Sequence, residues 1–404
     1  MGVEDHLRRA GLAALTICVC AQAADPIRER LDIRYHRYHD ANGVDDDLGA
    51  LLFVKKLAGG FACQWEQTLD AVSGASRALG KDLRGEPRPG DYDAVTGASP
   101  IAETRHASRG AFVYAGHTVG GSLGFYYSRE DDYVSAGPSL SLQREFFSGN
   151  FTLGAAASSN SDDFHPLGRF TGLGGRKRVR SADLSVAQSL TPLTQASAVF
   201  SWLAWDGYLG HPYLPPVAGD GTLLEENLPD RRRGAAAAAQ IVQGYRLGYL
   251  LGSLSLSGKR YADDWGLRSA EGEIRWSQHL PGETLVRLRG RLYHQDGAAF
   301  ANVPSADQRY RTADVRLFTF TSMLLGAKLA ASFPDAWSEA WYLPDRWDIG
   351  YEGLIRDTRG DDLASIQPGA PTNGDPARPR LYQLYGSDEY YRQGTWAFGM
   401  GFDY

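Results

Sequence analysis

The sequence predicts an all-β chain: a transmembrane antiparallel β-barrel of about sixteen strands, with fourteen to eighteen compatible. Three observations predict it. Several segments alternate large apolar with small or polar residues, which assigns one set to each face of a strand. After residue 23 there is no run of about 18 apolar residues, so nothing reads as a membrane-spanning helix. One hairpin also carries three arginines on a single face, and hydrocarbon would reject that face.

The elements follow in chain order. Arg8 and Arg9 precede the apolar run Ala10 to Cys20, and Ala21-Gln22-Ala23 supplies a small-x-small cleavage site. That layout predicts a secretory signal peptide over residues 1–23 and a mature barrel over 24–404. Cys18 and Cys20 would leave with the signal, and a lone Cys63 cannot form an internal disulfide. A net charge of −6 gives no basic footprint for nucleic acid. The 47 glycines, 21 tyrosines and 9 tryptophans suit tight turns and aromatic girdles.

His39-Asp-Ala-Asn-Gly43 resembles part of the His-x-x-Asn-Gly motif of outer-membrane phospholipase A. Val44 and Asp45 follow where that family has its serine, so the histidine has no nucleophile to activate. Asp40, Asn42 and Asp45 read first as a solvated acidic turn, and otherwise as oxygen ligands for a hard cation such as Ca²⁺. No catalytic set assembles elsewhere, so the expectation is a protein that is not an enzyme and needs no cofactor.

Alternation is clearest in Ser122–Tyr127, Phe151–Ser158, the stretch around Ala182, and Ser253–Lys259. Short links at Leu190–Leu193 and Leu280–Glu283 contrast with long polar ones at 158–176, 207–231, 295–308 and 357–378. Short turns on one side and long loops on the other is the asymmetry of an outer-membrane barrel.

The hairpin Ala270 to Tyr293 is the most specific local signal. Gly272, Ile274 and Trp276 oppose Glu271, Glu273 and Arg275; Val286, Leu288 and Leu292 oppose Arg287, Arg289 and Arg291. Each arginine facing the bilayer midplane would cost roughly 2–4 kcal/mol, so the charged set should line the lumen. A turn pairing His279 with Glu283 would set Glu273 beside Arg289 and Glu271 beside Arg291, as favourable opposite-charge neighbours. Asp314 and Arg316 against Val315 and Leu317 predict a further strand. Asp348, Glu352 and Arg356 against Ile349, Tyr351 and Ile355 predict another. Such a lumen is either a structural ion-pair network filling the barrel or a polar conduit whose field selects solutes.

At the end of the chain Trp396, Phe398, Met400, Phe402 and Tyr404 alternate with Ala397, Gly399, Gly401 and Asp403. This resembles the closing strand of bacterial outer-membrane barrels, which is also the signal read by the barrel-assembly machinery. The first set should face lipid.

Asp70-Ala-Val-Ser73-Gly-Ala-Ser recurs as Asp93-Ala-Val-Thr96-Gly-Ala-Ser. The small residues suit close backbone approach at a strand mouth, and Asp70 and Asp93 are candidate polar contacts. This pair of motifs, Glu103-Thr-Arg-His106, and Tyr208-Leu-Gly-His-Pro-Tyr213 leading to Pro229-Asp-Arg-Arg-Arg233 resemble a family of bacterial outer-membrane proteins known as domain of unknown function 3570. The resemblance covers nearly all of the mature chain. It implies an outer-membrane barrel and a place in envelope redox traffic, with no assigned reaction. Two functions stay open: a porin-like conduit or transporter for a solute, or a scaffold barrel with a filled lumen that holds a periplasmic or surface partner. The oligomeric state is open as well.

Overall fold

Alternating strands with one lipid-compatible face must pair all their backbone groups with one another, because a bilayer offers no water to an open edge. A computed structural model describes residues 29–40, 45–73, 103–166, 172–210, 216, 224–301, 307–312, 314–333, 344–357 and 390–403. The leader and Asn42, Asp93, Thr96 and Tyr404 lie outside them. Sixteen strands form: β1 Arg30–Asp40, β2 Asp45–Lys56, β3 Phe61–Ser73, β4 Glu103–Ala115, β5 Val119–Arg129, β6 Tyr133–Phe146, β7 Phe151–Phe164 and β8 Gly175–Thr191. They continue as β9 Thr194–Gly207, β10 Arg231–Leu247, β11 Leu250–Asp263, β12 Arg268–Leu280, β13 Thr284–Asp296, β14 Phe320–Ser332, β15 Arg346–Asp357 and β16 Tyr390–Asp403. Every strand pairs antiparallel with its chain neighbours. β1 closes on β16 from Arg30 opposite Asp403 to Asp40 opposite Gln393, so the barrel has no free edge.

The connections differ by end. Residues 57–60, 116–118, 147–150, 192–193, 248–249 and 281–283 make tight turns at the end where β1 starts and β16 finishes. Residues 74–102, 208–230, 297–319 and 358–389 connect strands at the other end. One long link, 333–345 between β14 and β15, breaks the rule on the short-turn side.

Large apolar side chains project outward. Leu123, Phe125 and Tyr127 on β5, Phe200 and Trp202 on β9, and Trp396 and Phe398 on β16 are all exposed, as a lipid-facing wall requires. Trp396 packs on Tyr351 of β15 with ring centroids 4.8 Å apart, and Phe398 pairs with Tyr35 of β1 and Ile349 of β15. Met400 and Phe402 share that face. Gly399 and Gly401 turn inward, where a Cβ would lie 2.7 Å from the Asp348 carboxylate and 2.1 Å from Arg346 Nε. Only glycine leaves those two lumen side chains their space.

Two expectations need correction. The β12–β13 turn is odd, as expected, but it holds Pro281, Gly282 and Glu283, so His279 pairs with Leu285. Gly282 and Glu283 take positive φ there, of 75° and 56°. The register is therefore two residues away from the expected one, and a shift of two leaves every side chain on its face. Asp314 and Arg316 are not on a strand. Val315–Leu317 form a 3₁₀ turn, and β14 begins only at Phe320.

Candidate functional site

Two features meet inside the barrel: a charged wall and a loop packed against the opposite wall. The charged wall runs over β12–β15 and β1. Glu273 accepts from Arg275 at 2.6 Å and from Arg289 at 2.8 Å, and Arg289 reaches on to Glu352 at 2.8 Å. Arg291 lies 3.8 Å from Glu271. The two-residue register difference makes Glu273–Arg289 and Glu271–Arg291 diagonal neighbours rather than direct ones, still within reach of long side chains. Lys328 binds Asp348 at 2.6 Å, and Arg346 binds Asp32 at 2.6 Å. The Arg356 guanidinium sits 3.6 Å over the Phe320 ring. Arg287 is the exception. Its one hydrogen bond is to the Ser277 hydroxyl at 3.4 Å, and among the described residues no carboxylate lies within ion-pair distance, Asp348 acting on it from farther off.

The wall over β5–β11 is different. Many of its inward positions are small or hydroxylic: Ser122 bonds Ser141 at 2.7 Å, Ser158 bonds Ser181 at 2.8 Å, and Gln240 bonds Ser255 at 2.6 Å. The arginine-rich wall thus faces one where hydroxyl pairs alternate with fewer charges, among them Asp183 and the Lys177–Asp162 pair at 3.4 Å.

At the long-loop end, inward-facing Leu203 (β9), Ala236 (β10) and Tyr261 (β11) pack with Trp265 and Leu267 of the β11–β12 connection and with Ala298, Ala301, Leu317 and Phe318 of the β13–β14 connection. The latter therefore folds inward. Gln295 ties it down by donating to the carbonyls of Arg316 and Phe318 at 2.6 and 2.9 Å. Thr312 donates to Glu226 at 2.6 Å, and Asn227 and Arg311 exchange two backbone hydrogen bonds at 3.1 and 2.9 Å. The β9–β10 and β13–β14 connections are thereby clamped together. Asp314 and Arg316, expected on a strand, pair within this loop at 2.5 Å. At its base Arg232 bonds Asp263 at 2.6 Å, with side chains 9 % and 0 % exposed, and stacks 4.6 Å from the Trp265 ring.

The remaining expected residues fall as follows. Asp70, first residue of the repeated motif, is buried and held by the largely covered Arg105 of the Glu103–His106 motif at 2.5 Å. The pair lies near the long-loop end of β3 and β4. Ser73 ends β3, opposite Asp45 of β2, and Asp40 ends β1, opposite Gln393. Among the described residues no three His, Cys, Asp or Glu side chains gather as a metal site.

A family model described as a protein of unknown function, DUF3570, matches residues 9–173 and 169–342. The chain belongs to that family. No curated protein matches it. Among solved structures, a bacterial polysaccharide outer membrane secretin is similar at 9 % identity, covering 94 % of this chain and 99 % of that one with a TM-score of 0.48. CdiB from Acinetobacter baumannii matches at 8 % identity, 94 % and 60 % coverage, and a TM-score of 0.46. OpdK from Pseudomonas aeruginosa matches at 7 % identity, 93 % and 99 % coverage, and a TM-score of 0.41. The architecture of this DUF3570 protein rests on its own strand pairing.

Proposed function

We propose that this DUF3570 protein is an outer-membrane barrel that passes a small polar solute through a hydrated, arginine-bearing lumen, with its short turns in the periplasm and its long loops outside. One observation carries this reading. Charged groups on the inner wall of a closed barrel stay open to solvent: the side chains of Arg346, Glu352 and Lys328 are 40 %, 38 % and 36 % exposed. A barrel of about sixteen strands is wide enough to leave an aqueous channel. Arg287 contributes a cation with no ion-paired carboxylate among the described residues, Asp348 acting on it only at longer range, so the field in the channel favours anionic solutes or those rich in hydrogen-bond acceptors. The inward-folded loop narrows the outer mouth. Trp396, Phe398, Met400, Phe402 and Tyr404 serve as the signal for the barrel-assembly machinery.

Vesicle swelling tests the reading. Protein refolded into multilamellar vesicles should admit small polar solutes, and organic anions faster than neutral sugars of equal size. Vesicles that never swell would refute the conduit. The same clamped loop supports a second reading, a scaffold with a filled lumen that holds a periplasmic or surface partner. Absence of swelling with any solute would favour it.

A further inference from the structure

The outside of the barrel carries a charge cluster that the conduit does not use. Along β8, Arg176, Arg178 and Arg180 share a face with exposed Leu184, so they project outward. β10 brings Arg231 and Arg233 beside them, on the face of outward Ala235 and Ala237. Asp206 of β9 lies between the two strands, opposite Arg178 on one side and Arg231 on the other. Three guanidiniums converge on that one carboxylate: Arg180 at 2.6 Å, Arg233 at 2.6 Å and Arg231 at 3.7 Å. One carboxylate cannot neutralise them. Arg231 and Arg180 remain 69 % and 44 % exposed.

The depth of the cluster narrows what can meet it. Arg233 pairs with Ala204, two residues along β9 from exposed Trp202, a step of about 7 Å. Tryptophan marks the boundary between hydrocarbon and headgroups. The arginines therefore sit just beyond the boundary, on the long-loop side, where neither hydrocarbon nor bulk water is the neighbour. Below them the wall is hollowed. β10 shows only Ala235, Ala237 and Ala239 outward, between Phe200 of β9 and Arg260 of β11. The result is a groove of about 670 Å³ that includes Leu184 and Phe200, adjoined by one of about 500 Å³ that reaches Arg260 and Arg268.

We infer that this face is a binding site for one lipopolysaccharide molecule of the outer leaflet, with its sugar phosphates on Arg178, Arg180, Arg231 and Arg233 and an acyl chain in the alanine groove. The inference rests on the outer-membrane orientation proposed above. Phosphate is the complement of clustered guanidiniums, whose forked donors match its oxygens. A phospholipid headgroup offers one phosphate. The phosphorylated disaccharide of lipid A offers several charges on one rigid frame, together with many acyl chains.

The test is native mass spectrometry of the full-length folded barrel in detergent, titrated with bisphosphorylated lipid A. One molecule should bind per barrel. Phosphatidylglycerol and dephosphorylated lipid A should bind at least about tenfold more weakly, the loss expected when charge-assisted hydrogen bonds to phosphate are missing. The variant R180Q/R231Q/R233Q/D206N, which leaves no orphaned carboxylate, should lose about as much. Ala239→Phe fills the groove on the lipid face, opposite Ala198 and Gly258 rather than a charged residue. It should weaken lipid A binding while leaving the arginine cluster intact. Equal binding of lipid A and phosphatidylglycerol, or lipid A binding unchanged in both variants, overturns the site. Protein that conducts in bilayers but retains no lipid A refutes the site alone; protein that does not insert into vesicles refutes the membrane-barrel reading beneath it.

Discussion

Asp263→Ala should release the inward-folded loop while leaving the barrel closed. The Asp263 carboxylate is fully buried and accepts from Arg232 Nη2 at 2.6 Å, Arg232 Nε at 2.8 Å, the Tyr261 hydroxyl at 2.8 Å, and the backbone N–H of Trp265 and Leu267 at 2.9 and 3.1 Å. Removing it strands the Arg232 guanidinium, itself 9 % exposed, under the Trp265 ring. Breaking one side of a buried ion pair costs about 3–5 kcal/mol. The loss falls on the β11–β12 connection and on what packs against it. There Ala299 N–H bonds the Trp265 carbonyl at 2.8 Å, and Ala298 N–H bonds the Leu317 carbonyl at 2.7 Å. At 1.4 kcal/mol per factor of ten, the opening equilibrium of this patch should rise roughly 10²- to 4 × 10³-fold. Hydrogen exchange by mass spectrometry reads it directly. Peptides spanning 297–301 and 314–319 should lose that much protection, and peptides from β5–β7 should lose none. Arg232→Leu with Asp263→Leu removes both charges and should recover most of the protection. Protection of the Ala298 and Ala299 amides that stays within a factor of about three of wild type in the single variant would refute the reasoning, because the loop would then not depend on this buried pair.

Further outcomes follow from the same geometry. Leu256→Arg places a charge outward at the middle of β11 and should lower the unfolding free energy in urea by about 2–4 kcal/mol, whereas Ser255→Arg, facing the lumen, should change it by under about 1 kcal/mol. Gly401→Ala drives a methyl toward Arg346 and should loosen its 2.6 Å bond to Asp32; an overpacking loss of about 1–3 kcal/mol should appear as a lower midpoint of heat-induced gel-shift unfolding. Glu273→Gln withdraws the charge shared by Arg275 and Arg289, so anion selectivity in bilayers should rise while the barrel stays folded, and unchanged selectivity would count against a lumen field set by these groups.

Much of the barrel was legible because its physics is local. Alternation of Leu123, Phe125 and Tyr127, or of Trp396, Phe398 and Met400, fixes a strand and its lipid face without reference to any other part of the chain. The arginines of β13 fixed their face through cost alone. What was not legible depends on partners distant in sequence. Asp70 and Arg105 are separated by the 74–102 connection, and their ion pair follows from the register of β3 on β4. The turn at Pro281–Glu283 moved the hairpin register by two, which no facial pattern could detect. Asp314 to Leu317 alternates like a strand, yet Leu317 and Phe318 are adjacent and both buried, at 1 % and 2 % exposure. A strand cannot put consecutive residues on one face, so that pair was the available sign of a packed turn. The outward arginines of β8 were also visible in principle, since Arg176, Arg178 and Arg180 continue the face of Ala182 and Leu184. With 158–176 read as a long polar link, the start of that strand at Gly175, and with it the charged outer face, went unseen.

The central claim is a water-filled lumen whose field is set by its arginines. The most direct measurement is the reversal potential of single channels in planar bilayers across a KCl gradient. Discrete conductance steps are expected, with a reversal potential on the chloride side that moves toward the cation side in Arg287→Ser. Absence of steps at any voltage, or cation selectivity that Arg287→Ser leaves unchanged, would contradict it.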